Sequence, residues 1–277
     1  MPTDFKTVTN QGVVAFVRKG CEPCLDTFLS GKYVCSESGG RGTIHYMLLE
    51  QGVRAVCKQY KRGGLFGRII PDLFLGRPRP LAELFATDRA QGHGINVAES
   101  LVGVVRPAGM FHADYLVSRE IPGATDTVRF LSSIDAHDHA GVELKHEVIR
   151  AAAGTVREMH DAGIYHADLN VRNLLVTLEG RTPRVYIVDF DKARLKTKLS
   201  PVQCARNILR LNRSAAKARR DGLDLTRADT VRFLTAYCHG RKDDPVRRIV
   251  TRSALRVAYE VKWFVSDLLY RLMGRNG

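Results

Sequence analysis

A polar motif between residues 164 and 190 carries the residue types that phosphate chemistry requires. Asp168 and Asn173 stand five residues apart, and Asp189 follows the apolar run Val185–Val188. Carboxylate and amide oxygens are the hard ligands that Mg²⁺ prefers, and a carboxylate can also orient an attacking hydroxyl. The spacing therefore predicts a metal–phosphate site in which Asp168 orients a hydroxyl while Asn173 and Asp189 hold Mg²⁺.

The elements that must position these side chains can be predicted from periodicity. The β-branched runs Asn173–Val176 and Val185–Val188 flank a turn with Gly and Pro and predict two strands. Leu144–Ala162 repeats apolar residues at helical spacing, and Gly163 stands where a helix would end. This order resembles the HxDxxxxN catalytic loop and the DFG-type metal loop of kinase-fold enzymes.

A second group of residues, upstream, is typical of a phosphate cradle. The glycine-rich turn at 38–43 contains Gly40 and Gly42 and precedes two strand-like runs, IHYMLL and VRAVCKQY. Glycine lets backbone N–H groups approach a phosphate closely, although a plain tight turn would look the same. Lys58 lies on the second strand, where kinase-type folds place a lysine that pairs with nucleotide phosphates.

The partner of that lysine is predicted on a helix. Leu81–Gln91 has apolar residues at helical spacing and carries Glu83, a candidate ion-pair partner for Lys58. A solvated surface carboxylate is the alternative reading of Glu83. Two strands are expected around Ser100–Val105 and Tyr115–Arg119, and the Ile-Pro-Gly sequence at 121–123 predicts a hinge.

Composition excludes several classes of protein. The 277 residues are 44% hydrophobic, with a mean hydropathy of −0.17, and no apolar run approaches the ~20 residues of a membrane-spanning helix. The N-terminal segment lacks the basic and then apolar pattern of a secretory signal, which predicts a cytoplasmic location. Six cysteines include one CxxC, Cys21 and Cys24, and reduced thiols are favoured over a metal or redox site.

Charge indicates an anionic partner. The formal net charge is +14, and residues 201–277 hold 17 Lys and Arg against 7 Asp and Glu. A protein with this excess of positive charge is expected to bind nucleic acid, an anionic membrane or a phosphorylated substrate. Leu255–Met273 has apolar residues at helical spacing, which suits either a membrane-surface helix or a core helix.

Longer blocks carry a specific family resemblance. They run from about Gly39 to about Lys217 and comprise the GRGT turn, VCKQYKRGGLFGRI, HADYLVSREIPGA, YHADLNVRNLLV, VYIVDFDKARL and ARNILRLNRSAAK. In this order the chain resembles the Kdo/heptose kinases of lipopolysaccharide core synthesis, most closely those acting on 3-deoxy-D-manno-octulosonic acid (Kdo). The short glycine loop and DFD in place of DFG fit these sugar kinases, and the missing APE motif weakens a protein-substrate reading.

The resemblance implies an α+β fold of the bilobal protein-kinase type. An N-lobe, residues 1–120, would hold a small antiparallel sheet and one helix, and a mainly helical C-lobe would occupy residues 121–277. ATP and Mg²⁺ would be the cofactors. Asp168 would be the catalytic base and Asn173 and Asp189 the metal ligands, while Lys58, paired with Glu83, and the glycines Gly40 and Gly42 would contact the nucleotide. His166 would brace the loop.

The implied acceptor is a Kdo-lipid A type glycolipid, phosphorylated on a sugar hydroxyl at the cytoplasmic face of the bacterial inner membrane. The protein would be a peripheral monomer that contacts the anionic membrane surface. A heptose kinase would share every catalytic residue. A non-catalytic module that binds an anionic partner is a rival of another class, although the complete residue set argues against it. No nucleic acid is expected, because no aromatic–basic motif of a known module is present.

Overall fold

The structure is a computed structural model that describes residues 4–39, 42–49, 52–61, 72–135 and 138–252, without the side chains of 37–39 and 42–43. The chain divides into two compact units, each treated separately below. The first unit comprises Met1–Ala124 with Tyr186–Leu195, and the second comprises Thr125–Val185 with Lys196–Gly277. The domain boundary predicted at residue 120 stays a prediction.

The first unit is built on a seven-stranded antiparallel sheet, with strand order β1-β2-β6-β7-β5-β4-β3. The strands are β1 Phe5–Asn10, β2 Val13–Arg18, β3 Cys35–Gly39, β4 Gly42–Leu48, β5 Arg54–Gln59, β6 Ser100–Ala108 and β7 Phe111–Arg119. Helix α1 spans Glu22–Leu29 and α2 spans Arg79–Gly92, and the unit also contains the short strand β12, Arg194–Leu195.

The sheet owes its stability to a buried apolar cluster. Val17, Leu25, Phe28, Met47 and Val104 are almost fully buried and belong to one cluster. In β2, the alternate residues Val13, Ala15 and Val17 all belong to this cluster, because side chains in a strand alternate sides. The cluster keeps the centre of the sheet, including β5, in a fixed register.

The second unit is mainly helical. Its helices are α3 Thr127–Ser132, α4 His139–Asp161, α5 Pro201–Arg220, α6 Arg227–Tyr237 and α7 Pro245–Thr251. Its strands are β8 Thr125–Asp126, β9 Ile164–Tyr165 and β10 Leu174–Glu179, and β11, Thr182–Ile187, begins in this unit. In sheet order β10 lies between β11 and β8, so the loop that carries Asp168 and Asn173 leads directly into a small sheet.

Capping residues explain the bounds of the long helices. The Asp138 side chain accepts a hydrogen bond from Gly141 N at 3.2 Å at the start of α4, and Ser200 and Gln203 form a capping box at the start of α5. Gly163 follows α4 with φ of +74°. A Cβ there would lie 2.0 Å from the Lys196 carbonyl oxygen, so this turn requires glycine.

The predicted elements are largely found, with shifted bounds. The strand predicted from Asn173 instead starts at Leu174, after a 3-10 turn over Val171–Asn173. The cause is local, because the Asn170 side chain accepts a hydrogen bond from Arg172 N and favours a turn. No helix within the described residues is long and apolar enough to cross a membrane. Gly40 and the predicted helix Leu255–Met273 lie outside the described residues.

Candidate functional site

The first unit gathers three predicted site residues around one ammonium group. Lys58 on β5 places Nζ 3.1 Å from Glu83 Oε2 and 2.8 Å from Asp189 Oδ1. Burial disfavours the charged ammonium, but the two carboxylates outweigh that cost and raise the pKa of Lys58. Lys58 is therefore a permanent cation, and its predicted contact with Glu83 is present.

Glu83 is a buried carboxylate and not a solvated one, since it is only 4% exposed. Tyr60, the residue that follows the end of β5, donates a hydrogen bond from its hydroxyl to Glu83 Oε2 at 2.5 Å. Burial raises the pKa of Glu83, and Lys58 opposes that shift. The Lys58 ammonium also lies 4.6 Å from the centre of the Tyr60 ring, a cation–π contact.

The position of α2 is set by contacts at its first turn and along its length. Asp114 on β7, which is fully buried, accepts a hydrogen bond from Arg79 N at 2.9 Å and satisfies an otherwise open helix donor. Gly103 on β6 allows close approach, because a Cβ there would lie 2.8 Å from Pro80 Cβ and 3.0 Å from Leu84 Cδ1. Glu83 is thus carried on a helix seated tightly on the sheet.

The DFD sequence has a structural role for each of its acids. Asp189 has φ of +70°, a left-handed conformation that costs energy for a non-glycine residue and is often kept at functional sites. The side chain of Asp191 is only 7% exposed, and it accepts a hydrogen bond from Arg79 Nη1 at 2.7 Å. The second aspartate therefore ties the metal loop to the N-terminal turn of α2, a link that the sequence analysis missed.

In the second unit the catalytic loop is folded around the backbone of Asp168. Asn173 Nδ2 donates to the Asp168 carbonyl at 3.1 Å, and Asn170 Nδ2 donates to the same oxygen at 2.9 Å. Asp168 N donates to Nδ1 of His166, which is buried. Because Asn173 Nδ2 donates this hydrogen bond within the loop, the side-chain oxygen Oδ1 is the atom of Asn173 that can act as a hard ligand.

Helix α5 contacts this loop at three places. Arg210 Nη1 lies 3.2 Å from Asp168 Oδ1. Asn207, fully buried, accepts from His166 N at 3.2 Å and donates to His166 O at 2.9 Å. Val171 N donates to Ser214 Oγ at 2.9 Å. The spacing 207, 210 and 214 is that of one helix face. These residues lie in the block ARNILRLNRSAAK, which carries the family resemblance, but the sequence alone assigned them no role.

Behind the loop lies a buried histidine that should respond to pH. His160 contacts Tyr237 Oη at 2.8 Å and Asn207 Oδ1 at 3.1 Å, and burial lowers its pKa to about 4. The unfolded chain, with a histidine pKa near 6.5, binds a proton below that pH when the native state does not. Stability should therefore fall as the pH drops from about 6.5 towards 4, by about 2 kcal/mol at pH 5 relative to pH 7.5.

Chemical denaturation at several pH values measures this effect. The His160→Phe variant should be less stable overall, since it loses two hydrogen bonds, but its unfolding free energy should change less between pH 7.5 and 5. His139→Gln, at an exposed position, is the matched control and should keep the wild-type slope. An unchanged slope in His160→Phe would contradict the assignment.

The predicted site residues thus fall into two groups, one in each unit. Lys58, Glu83 and Asp189 lie together in the first unit, and Asp168 and Asn173 lie together in the second. Gly42 begins β4. Cys21 and Cys24 are free thiols, and burial raises the pKa of Cys24 to about 12, so its thiol stays protonated near neutral pH. Among the described residues no group of three or more His, Cys, Asp or Glu side chains is placed to hold a metal ion.

Comparison with known proteins identifies the family. Residues 29–237 match the lipopolysaccharide kinase (Kdo/WaaP) family. The chain belongs to this family. It is 31% identical over 188 residues to the 3-deoxy-D-manno-octulosonic acid kinase of Vibrio cholerae, covering 66% of this chain and 74% of that protein. It is also 31% identical over 207 residues to the protein of the same name from Actinobacillus succinogenes, covering 72% and 82%.

Solved structures agree on the fold of this lipopolysaccharide kinase. WaaP, solved in complex with acyl carrier protein, is similar with a TM-score of 0.57 and 19% identity over 85% of this chain and 89% of that one. Amicoumacin kinase hAmiN, solved in complex with AMP-PNP, Ca²⁺ and Ami, gives a TM-score of 0.53 at 13% identity and covers 79% of this chain and 76% of that one. The predicted α+β, kinase-like fold is confirmed, and the chain is a phosphotransferase.

Proposed function

We propose that this kinase transfers the γ-phosphate of ATP to a hydroxyl of Kdo on a Kdo-lipid A type acceptor. The observation that carries the proposal is the match to Kdo kinases over about three quarters of their length. A heptose acceptor would need the same catalytic residues, but the curated relatives favour Kdo.

In the first unit, Lys58 is the residue proposed to contact the nucleotide phosphates. Its ammonium is held by Glu83 and Asp189 and stays charged. A fixed cation of this kind offsets negative charge without having to reorganise during the reaction. Tyr60 and Arg79 act through Glu83 and Asp191 by fixing where these carboxylates lie. Gly42, at the start of β4, is proposed to contact the phosphates. The same role is proposed for Gly40 from the family resemblance.

In the second unit, Asp168 is proposed as the catalytic base. Its backbone is held by three hydrogen bonds within the loop. A carboxylate so fixed can accept a hydrogen bond from the sugar hydroxyl and aim its oxygen at phosphorus, which is the main demand of phosphoryl transfer. His166 braces the loop by accepting from Asp168 N.

Asn173 and Asp189 are the proposed ligands for Mg²⁺. The fit rests on donor chemistry, because Asn173 presents Oδ1 once its amide nitrogen is bound by the loop, and Asp189 supplies a partly exposed carboxylate. Bound with ATP, the ion would offset charge on the phosphate oxygens.

The proposed setting is the cytoplasmic face of the inner membrane. An anionic glycolipid acceptor and an anionic membrane surface both suit a chain with a net charge of +14. We propose that the protein works there as a peripheral monomer.

The deciding experiment compares acceptors. Purified protein with ATP and Mg²⁺ should phosphorylate Kdo-lipid IVA, and the product should carry one added phosphate on Kdo by mass spectrometry. A matched heptosylated acceptor whose Kdo position is blocked should give little turnover. Faster turnover on that acceptor would assign the enzyme as a heptose kinase instead.

A further inference from the structure

Helix α5 carries a stripe of positive charge on one face. Its cations recur at helical spacing, and this cationic stripe consists of Arg206, Arg210, Arg213, Lys217 and Arg220. At 3.6 residues per turn these positions fall within an arc of about 80°. No Asp or Glu occurs between Pro201 and Arg220, so no acid on the helix itself offsets the charge.

Much of this charge is exposed to solvent. Arg206, Lys217 and Arg220 are exposed, and within the part of the chain that the structure describes none of the three forms an ion pair. Keeping so many like charges on one face raises the free energy of the helix. Three exposed cations without an acid beside them on one helix face, Arg206, Lys217 and Arg220, are the arrangement expected where an anionic partner supplies the counter-charge.

The stripe is tied to the reaction centre by Arg210. The Arg210 guanidinium lies 3.2 Å from the carboxylate of Asp168. The neighbouring face of the same helix holds the catalytic loop through Asn207 and Ser214. An anionic molecule bound along the stripe would therefore have one end beside Asp168.

We propose that the cationic stripe binds the carboxylate and phosphate groups of the glycolipid acceptor, with Arg210 nearest the attacking hydroxyl. This inference rests on the proposed function, since it assigns part of the acceptor site. Charge-assisted hydrogen bonds from guanidinium groups suit both kinds of oxyanion. Arg210 also acts as a positioning residue for Asp168.

The test compares a variant that loses two positive charges from the cationic stripe with a control variant that loses two positive charges outside it. The double variant Arg206→Gln/Lys217→Gln keeps two exposed helix-forming side chains and loses two charges. Arg219→Gln/Arg227→Gln loses the same charge from exposed positions outside the stripe, with Arg219 on the other side of α5. Both are assayed with Kdo-lipid IVA in neutral detergent, by steady-state kinetics and by equilibrium binding without ATP.

The stripe variant should show an acceptor KM and Kd raised about tenfold, because each cation near an anionic group contributes modestly. Its kcat and its KM for ATP should stay within about twofold of wild type. The control variant should match wild type throughout. Wild type should bind dephosphorylated Kdo-lipid more weakly than Kdo-lipid IVA. With the dephosphorylated ligand, the difference in Kd between wild type and the stripe variant should be smaller.

Several results would overturn the proposal. One is an unchanged acceptor KM in the stripe variant, and another is an equal loss in the control. A third is loss of binding to vesicles with anionic phospholipid while binding to detergent-dispersed acceptor is unchanged, which would make the stripe a membrane contact. If wild type binds Kdo-lipid IVA without phosphorylating it, the proposed function fails and the binding comparison still decides the role of the stripe.

Discussion

Replacing Asp168 with asparagine should lower turnover of Kdo-lipid IVA by about a thousandfold, the range typical for loss of a catalytic base. Asparagine has nearly the same shape, so the backbone hydrogen bonds of Asp168 with His166, Asn170 and Asn173 should persist. The amide cannot take the proton of the sugar hydroxyl, and it gives Arg210 no negative partner. The fall should therefore appear in kcat while the thermal midpoint changes little.

A matched control variant distinguishes the loss of one negative charge from the loss of the proposed catalytic base. Asp221→Asn, at the exposed end of α5, removes one carboxylate from the same unit and should leave kcat within about twofold. Circular dichroism and nucleotide binding should be unchanged in both variants. Near-normal turnover by Asp168→Asn, with the fold intact, would show that Asp168 is not the catalytic base.

Lys58→Met should lose both activity and stability. The methionine leaves Glu83, only 5% exposed in its side chain, without its cation. Removing one partner of a buried ion pair is expected to cost about 3 kcal/mol. Turnover should fall by about a hundredfold or more, since a preorganised charge on the phosphates is lost. Denaturant unfolding and ATP-dependent phosphorylation measure the two effects.

A second variant distinguishes the loss of activity from the loss of stability. In Lys58→Met/Glu83→Gln the buried carboxylate is neutral, so most of the stability should return, whereas turnover should stay low. Lys6→Met is the control, because Lys6 pairs with Glu22 on the surface of the same unit, and exposed pairs contribute at most about 1 kcal/mol. Recovery of turnover in the double variant would show that Lys58 serves the fold alone.

Local patterns made part of this site predictable. Strand alternation placed Lys58 on β5, helical periodicity placed Glu83 on α2, and the spacing of Asp168 and Asn173 marked the catalytic loop. Each signal lies within a single element or a short loop. The contact between Lys58 and Glu83 could be predicted because the family resemblance supplied the missing pairing between elements.

Contacts between distant segments were not predictable in the same way. Arg79 and Asp191 stand 112 residues apart in the chain, and His166 and Asn207 stand 41 apart. Charged and amide residues at these positions look like ordinary surface residues until the fold brings them together. The burial of Glu83, which decides against the alternative of a solvated carboxylate, depends on Tyr60 and on the close approach at Gly103, which local patterns do not reveal.

The discontinuous first unit also has a consequence for how the protein is made. Asp189 belongs to that unit but is synthesised long after Ala124, and at 5–20 residues per second the delay is roughly 3 to 13 seconds. During that interval the emerging sheet can already bury Glu83 against Lys58, so this carboxylate serves as the early counter-charge. Asp189 and Asp191 arrive last, and the cluster that they form with Lys58, Glu83 and Arg79 cannot be complete until both aspartates have been synthesised.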